Sequence, residues 1–151
     1  MSEIIWAMNP RNDTLDSFTS YIRQHASSYL ESAEIEGVFA FPAEIPSLHM
    51  SSELRRNLFL TVKEAFHNIV KHSGAGKVHM SLFTEKGNLR IVIEDDGVGF
   101  NIEQISGWGN GLTNMHKRIE ELGGSFNIKS GVGSGTTIEF SVKINPKDNS
   151  H

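Results

Sequence analysis

The chain has 151 residues, the size of one domain with at most a short appended segment, and its 38% hydrophobic content beside 14 glycines is that of a soluble globular fold. Fourteen basic against 18 acidic residues leave a net charge of -4 with no long run of either sign, which argues against the basic face a duplex nucleic-acid binder needs. The absence of cysteine removes disulfides and thiolate metal sites, and no apolar run approaches the roughly 18–20 residues of a membrane span.

Residues 1–12 turn from apolar to polar and end in Asn-Pro-Arg-Asn. Asp13 or Thr14 can then cap a helix whose apolar positions Leu15, Phe18, Tyr21, Ile22, Ala26 and Leu30 recur at helical spacing. Val38 to Phe41 reads as a short strand closed by Pro42 and Pro46. Ser51 or Ser52 opens a second helix reaching about Lys71, stopped by Ser73-Gly74-Ala75-Gly76. Strands Lys77–Phe83 and Leu89–Glu94 flank a hairpin turn at Glu-Lys-Gly-Asn. A glycine-rich stretch from Gly97 to Gly111 leads into a helix over about Leu112–Leu122, which Gly123-Gly124 ends. Strands Ser125–Lys129 and Thr136–Ile144 close the pattern before a polar tail. Strands joined in pairs by short turns predict an α+β sandwich, with helices on one face of a mostly antiparallel sheet.

On the second helix Leu58, Val62, Ala65 and Ile69 form an apolar stripe, and Glu64, Asn68 and His72, with Lys71 alongside, cluster on its flank. A flank of this kind can line a cleft. The carboxamide of Asn68 offers a hard oxygen suited to Mg²⁺, Glu64 could hold a metal-bound water, and Lys71 and His72 could meet phosphate charge. The same four residues also describe a plain solvated face.

Asp95-Asp96-Gly97-Val98-Gly99 follows a strand, so a carboxylate at Asp95 could accept from an exocyclic amine while Gly97 and Gly99 let backbone approach a flat ring. A tight turn with solvated aspartates is the other reading. Gly107-Trp108-Gly109-Asn110-Gly111-Leu112 runs into a helix, whose free amides attract phosphate. Gly131-Val132-Gly133-Ser134-Gly135-Thr136 has a phosphate-loop composition, yet lacks the Gly-Lys-Ser/Thr ending and lies between strands.

The order decides. Glu-x-x-x-Asn-x-x-Lys-His, then Asp-x-Gly-x-Gly, then Gly-x-Gly-Leu, then Gly-Thr-Thr resembles the GHKL ATPase superfamily (gyrase, Hsp90, histidine kinase, MutL) from about Ile4 to Ile144. The segments Lys63–His72 and Gly111–Arg118 look like the histidine kinases related to nitrate and lipid sensors. Ile4-Ile5-Trp6-Ala7-Met8-Asn9-Pro10 resembles the join between dimerisation helix and ATPase domain in large sensor kinases of Bacteroidetes type.

That resemblance implies a Bergerat-fold α/β sandwich with about three helices on one face of a mixed sheet. Residues 1–12 would be a remnant of the junction with an upstream dimerisation helix, 13–145 the ATPase domain and 146–151 a tail. It implies ATP and Mg²⁺ as cofactors. Asp95 would receive the adenine amine, with Thr136 helping through a water and Gly97 and Gly99 packing on the base. Asn68 would ligate Mg²⁺, supported by Glu64. Lys71 and His72 would meet the phosphates, and Gly109, Asn110, Gly111 and Leu112 would cap them. Val98 to Asn110 would form a lid.

The implied partners are upstream phosphoacceptor helices in a homodimer and a response regulator receiver domain, with no nucleic-acid contact. The implied place is the cytoplasmic part of a membrane-anchored sensor. None of the seven histidines is followed by Asp, as the family's acceptor is, so the acceptor is expected outside this chain and efficient autophosphorylation is not expected from it. An anti-sigma-type serine kinase and a nucleotide-binding pseudokinase module are the competing readings.

Overall fold

In the computed structural model of the chain, residues 13–98, 109–133 and 135–144 are described, without the side chains at 72, 73 and 109–111. Among these residues three helices cover one face of a five-stranded sheet. In chain order they are α1 (Leu15–Ser32), β1 (Glu36–Ala40), α2 (Ser52–Asn68), β2 (Lys77–Glu85), β3 (Asn88–Asp95), α3 (Gly109–Glu121), β4 (Ser125–Ser130) and β5 (Thr136–Lys143). The spatial order is β1-β2-β3-β5-β4. Only the β1–β2 pair is parallel; the other three pairs are antiparallel. The predicted α+β sandwich is what forms.

Periodicity accounts for the layers. Leu15, Phe18, Ile22, Ala26 and Leu30 recur every three or four residues and are buried along α1, as are Leu54, Leu58, Val62 and Ala65 along α2. Every second residue of the central strands (Val78, Met80 and Leu82; Leu89, Ile91 and Ile93; Ile138, Phe140 and Val142) meets those stripes in one continuous core. Burial of each such side chain stabilises the fold by about 1.5–3 kcal/mol. No helix among the described residues is long and apolar enough to cross a membrane.

The boundaries differ from the sequence reading where local signals are weak. Thr14 occupies the cap position of α1 but its side chain makes no cap hydrogen bond. The helix start is held instead by backbone pairing to the segment before α2, through Leu15 N to Leu48 O at 2.8 Å and Met50 N to Asp13 O at 2.7 Å. Ser51 does cap α2, its hydroxyl accepting from Leu54 N at 3.1 Å. β1 begins two residues before the predicted Val38. The β2–β3 turn is a two-residue loop with Lys86 at φ 50° and Gly87 at φ 80°, the left-handed pair whose twist matches a hairpin.

The second helix does not run as an α-helix to Lys71. After Asn68 it widens into a single π-turn, Ile69–Ser73, which Gly74 terminates in the left-handed conformation at φ 65°.

Candidate functional site

One row of the sheet departs from the apolar pattern. Asp95 on β3 pairs with Thr136 on β5, and Thr136 pairs with Ser130 on β4. Alternation places all three on the helix-covered face, at the end where β3 finishes and β5 starts. Asp95 is 8% exposed and Thr136 is 3% exposed. Polar groups at that depth need partners, and the partners are informative.

The Oδ1 atom of Asp95 accepts from Gly97 N at 2.8 Å. Its Oδ2 atom is buried and has no hydrogen-bond partner among the described residues. Burial holds the Asp95 carboxyl above the usual carboxylate range. The charge of Asp96 pushes the same way, while backbone hydrogen bonds from Gly97 and Thr136 oppose it. A buried acceptor left open at a sheet end is suited to a ligand that brings a donor.

Asp96 does a different job. Its Oδ1 accepts from Gly76 N at 2.9 Å and Lys77 N at 3.0 Å, tying the end of β3 to the start of β2. Asp95 thus faces the site while Asp96 fixes the frame. The residue type alone does not distinguish them; alternation along β3 does.

The loop between β4 and β5 packs behind this turn. Gly133 N donates to the Val98 carbonyl. A Cβ on Gly135 would lie 2.2 Å from the Asp95 carbonyl oxygen, and Gly135 also sits at φ +73°. Only glycine fits there. The phosphate-loop composition of this segment is therefore a close-packing requirement of the Asp95 turn. Ser130 Oγ donates to Gly135 O at 3.1 Å and lies 2.9 Å from Thr136 Oγ1.

The connection Ser73–Gly76 brings the end of α2 to the same end of the sheet, since Lys77 starts β2 and Val78 pairs with Asp95. Asn68 is 4% exposed there, and its Nδ2 has no partner among the described residues. Glu64, one turn earlier, is half-buried; Lys71, within the π-turn, is exposed. The widened turn ends the simple 100° arithmetic at Asn68, so Lys71 does not continue the arc of Glu64 and Asn68.

α3 supplies the third wall. It packs against α2, β4 and β5. It connects through Leu122–Gly124 to Ser125, at the far end of the sheet, and β4 returns to Ser130 beside Thr136. Helix and strand are each about 20 Å long, so the N-terminus of α3 at Gly109 returns to the Asp95 end. Leu112 is half-buried in its first turn.

Of the sequence candidates, then, Glu64, Asn68, Asp95, Gly97, Thr136 and the start of α3 share one end of the sandwich. Gly99 lies outside the described residues, as does the lid expected at Val98 to Asn110 except at its two ends, and so do the side chains of His72 and Asn110. Ser130 and Asp96 were missed. Pairing of β4 with β5 across the glycine loop could have found Ser130.

Of the three buried side-chain atoms without a partner among the described residues, those of Asp95 and Asn68 lie at this end and test the chemistry of the cofactors; the third is Thr19 Oγ1 on α1. Asp95 fits a ligand carrying an amine on a flat ring. Among the described residues no three His, Asp or Glu side chains gather into a cation cage. The open Asn68 Nδ2 is a donor and fits a phosphate oxygen. The carboxamide oxygen Oδ1 is the atom that would suit Mg²⁺, which takes its other ligands from phosphate and water.

Residues 53–146 match the family described as histidine kinase-, DNA gyrase B-, and HSP90-like ATPase. The chain is 36% identical over 107 residues to the sensor protein VraS of Staphylococcus epidermidis, covering 71% of this chain and 31% of that protein. It therefore spans about a third of the length of the curated relatives it matches. The histidine kinase domain of a blue-light activated kinase from Erythrobacter litoralis has a TM-score of 0.71 at 20% identity, covering 87% of this chain and 63% of that one. Full-length ShkA, solved with AMPPNP, has a TM-score of 0.68 at 19% identity, covering 85% of this chain and 29% of that one. Likeness at that identity speaks for the fold, and the sequence match speaks for kinship: the chain belongs to the family of histidine kinase-, DNA gyrase B- and HSP90-like ATPases.

Proposed function

We propose that this chain is the ATP-binding catalytic domain of a two-component sensor histidine kinase, presenting the γ-phosphoryl group to a histidine on an upstream helix. The observation that carries the reading is the buried Asp95 carboxylate with its open Oδ2 at one end of the sandwich, where Asn68 Nδ2 is also without a partner among the described residues; the third such atom, Thr19 Oγ1, lies on α1. Family membership makes ATP the ligand, and AMPPNP in ShkA is in keeping with it.

Asp95 accepts the adenine amine, and Gly97 and Gly99 pack against the ring. Thr136 contributes its hydroxyl beside Asp95. The amides at the start of α3, Gly109 to Gly111, meet the phosphates through their free N–H groups. Glu64 supports Asn68, and Lys71 and His72 stay candidates to meet the phosphates, although the π-turn takes Lys71 off the arc of Glu64 and Asn68. Asn68 would hold Mg²⁺, which when bound would supply charge neutralisation to the phosphates. Phosphoryl transfer depends mainly on such positioning and neutralisation.

The partners on this reading are the phosphoacceptor helices of a homodimer and a receiver domain, with the domain on the cytoplasmic side of a membrane-anchored sensor. The subfamily is that of the nitrate- and lipid-sensor-like kinases of Bacteroidetes type.

The test is radiolabel transfer from γ-labelled ATP in a longer polypeptide that carries an upstream histidine helix. Acid-labile label on that histidine, lost by at least a hundredfold in Asn68→Ala, is the expected outcome. Acid-stable label on serine would make the chain a serine kinase. Tight nucleotide binding without any transfer would make it a pseudokinase module.

A further inference from the structure

The two open atoms of the site stand on separate segments, Asp95 Oδ2 at the end of β3 and Asn68 Nδ2 at the end of α2. A nucleotide that meets both needs those segments held at one spacing, because its base and phosphates are joined covalently. The chain from Asn68 to β2 runs through the π-turn and the left-handed Gly74. A Cβ at Gly74 or at Gly76 would find nothing within 4 Å, so side-chain packing does not fix the connection at either residue. Polar contacts do. Gly76 N and Lys77 N donate to the same oxygen, Asp96 Oδ1, at 2.9 and 3.0 Å. Asp96 N donates in return to Lys77 O at 3.2 Å, and Glu36 N donates to Gly76 O at 2.9 Å. Amide hydrogen bonds to a carboxylate are charge-assisted and belong to the stronger kind. Asp96 follows Asp95 directly, so this clamp joins the residue beside the base contact to the chain that leaves α2.

We propose that Asp96 is a positioning residue: its carboxylate oxygen clamps the connection after α2 to the Asp95 turn, so that a nucleotide seated by its base on Asp95 meets Asn68 with its phosphates in register. This rests on the nucleotide reading of Asp95 and Asn68 and deepens it. Asp96 acts through Gly76 and Lys77, and the role belongs to one oxygen in one place rather than to its charge. Asparagine keeps an acceptor oxygen at the same reach without the charge. Glutamate keeps the charge but carries its oxygens one methylene farther, and alanine removes both.

The test is a double-mutant cycle on the whole chain, titrated by calorimetry with a non-hydrolysable ATP analogue and Mg²⁺. Asn68→Ala is expected to weaken binding roughly tenfold in wild type, the scale of one hydrogen bond to a charged group. In the Asp96→Ala background the same change should weaken binding by no more than about twofold, because Asn68 is already out of register there. Asp96→Asn should restore the full cost of Asn68→Ala, and Asp96→Glu should not.

If Asp96→Ala does not fold, Asp96→Glu carries the same comparison. An equal cost of Asn68→Ala in every background overturns the role of Asp96, whatever its variants do to the thermal midpoint, since additivity is the mark of a purely structural residue. A full cost kept in Asp96→Glu but lost in Asp96→Asn overturns it too, because charge rather than the placed oxygen would then be at work. A wild type that binds the analogue yet is indifferent to Asn68→Ala overturns the clamp while leaving the Asp95 site standing. A folded wild type that does not bind the analogue overturns the nucleotide reading itself, and the inference with it.

Discussion

Asp95 carries a cost that its position makes visible. Its carboxyl is raised above the usual range by burial, with one oxygen unpaired among the described residues. For an acid raised in the fold, the favourable contribution is present below the ordinary carboxylate value and is lost as pH rises through the raised one. At neutral pH the ionised group therefore opposes folding. Asp95→Asn is expected to have a ligand-free thermal midpoint at pH 7 equal to or above wild type, with the difference shrinking towards acid. A scanning calorimetry midpoint several degrees below wild type would sink this. Nucleotide affinity has the opposite sense: it should fall as pH drops through the raised value, because protonation removes the acceptor. Asp95 was legible in the sequence through the order of the motifs, since Asp-x-Gly-x-Gly at a strand end by itself also describes a tight turn. Asp96 and Ser130 were not. The partners of Asp96 lie some twenty residues upstream, and Ser130 acquires its meaning only when β4 pairs with β5.

The helices show the same division at the next scale. The apolar stripes of α1 and α2 follow from spacing, and the structure buries them as the spacing requires. The π-turn after Asn68 has no such signature, since an i→i+5 turn is set by what the helix end packs against. The start of α1 is likewise fixed by pairing with Leu48 and Met50 rather than by a cap. α2 has both a cap and a site, at opposite ends and about 25 Å apart. Removing the cap should therefore affect stability alone. Ser51→Ala is expected to cost about 1 kcal/mol and lower the thermal midpoint by roughly 2–4 °C, with ADP affinity unchanged. A parallel loss of affinity would mean that the two ends of α2 are coupled.

Across the whole molecule, the buried polar residues Asn68, Asp95 and Thr136 gather at one end of the sandwich, while others, such as Arg55 and Thr61, are buried along α2 with backbone carbonyls as partners. α2 delivers Asn68 there, β3 and β5 deliver Asp95 and Thr136, and α3 starts there. Sequence order raised the expectation of such a convergence through resemblance, and the topology gives a reason for it: each of these elements begins or ends at the same end of the sheet. The direct check is calorimetric titration of the purified chain with ADP and a non-hydrolysable ATP analogue, with and without Mg²⁺, beside Asp95→Asn. Saturable binding is expected, strengthened by Mg²⁺, and weakened roughly ten- to a hundredfold in the variant, the range for a hydrogen bond to a charged group. A folded wild-type chain that takes up neither nucleotide, or a variant that binds as tightly as wild type, would contradict a nucleotide site built around Asp95.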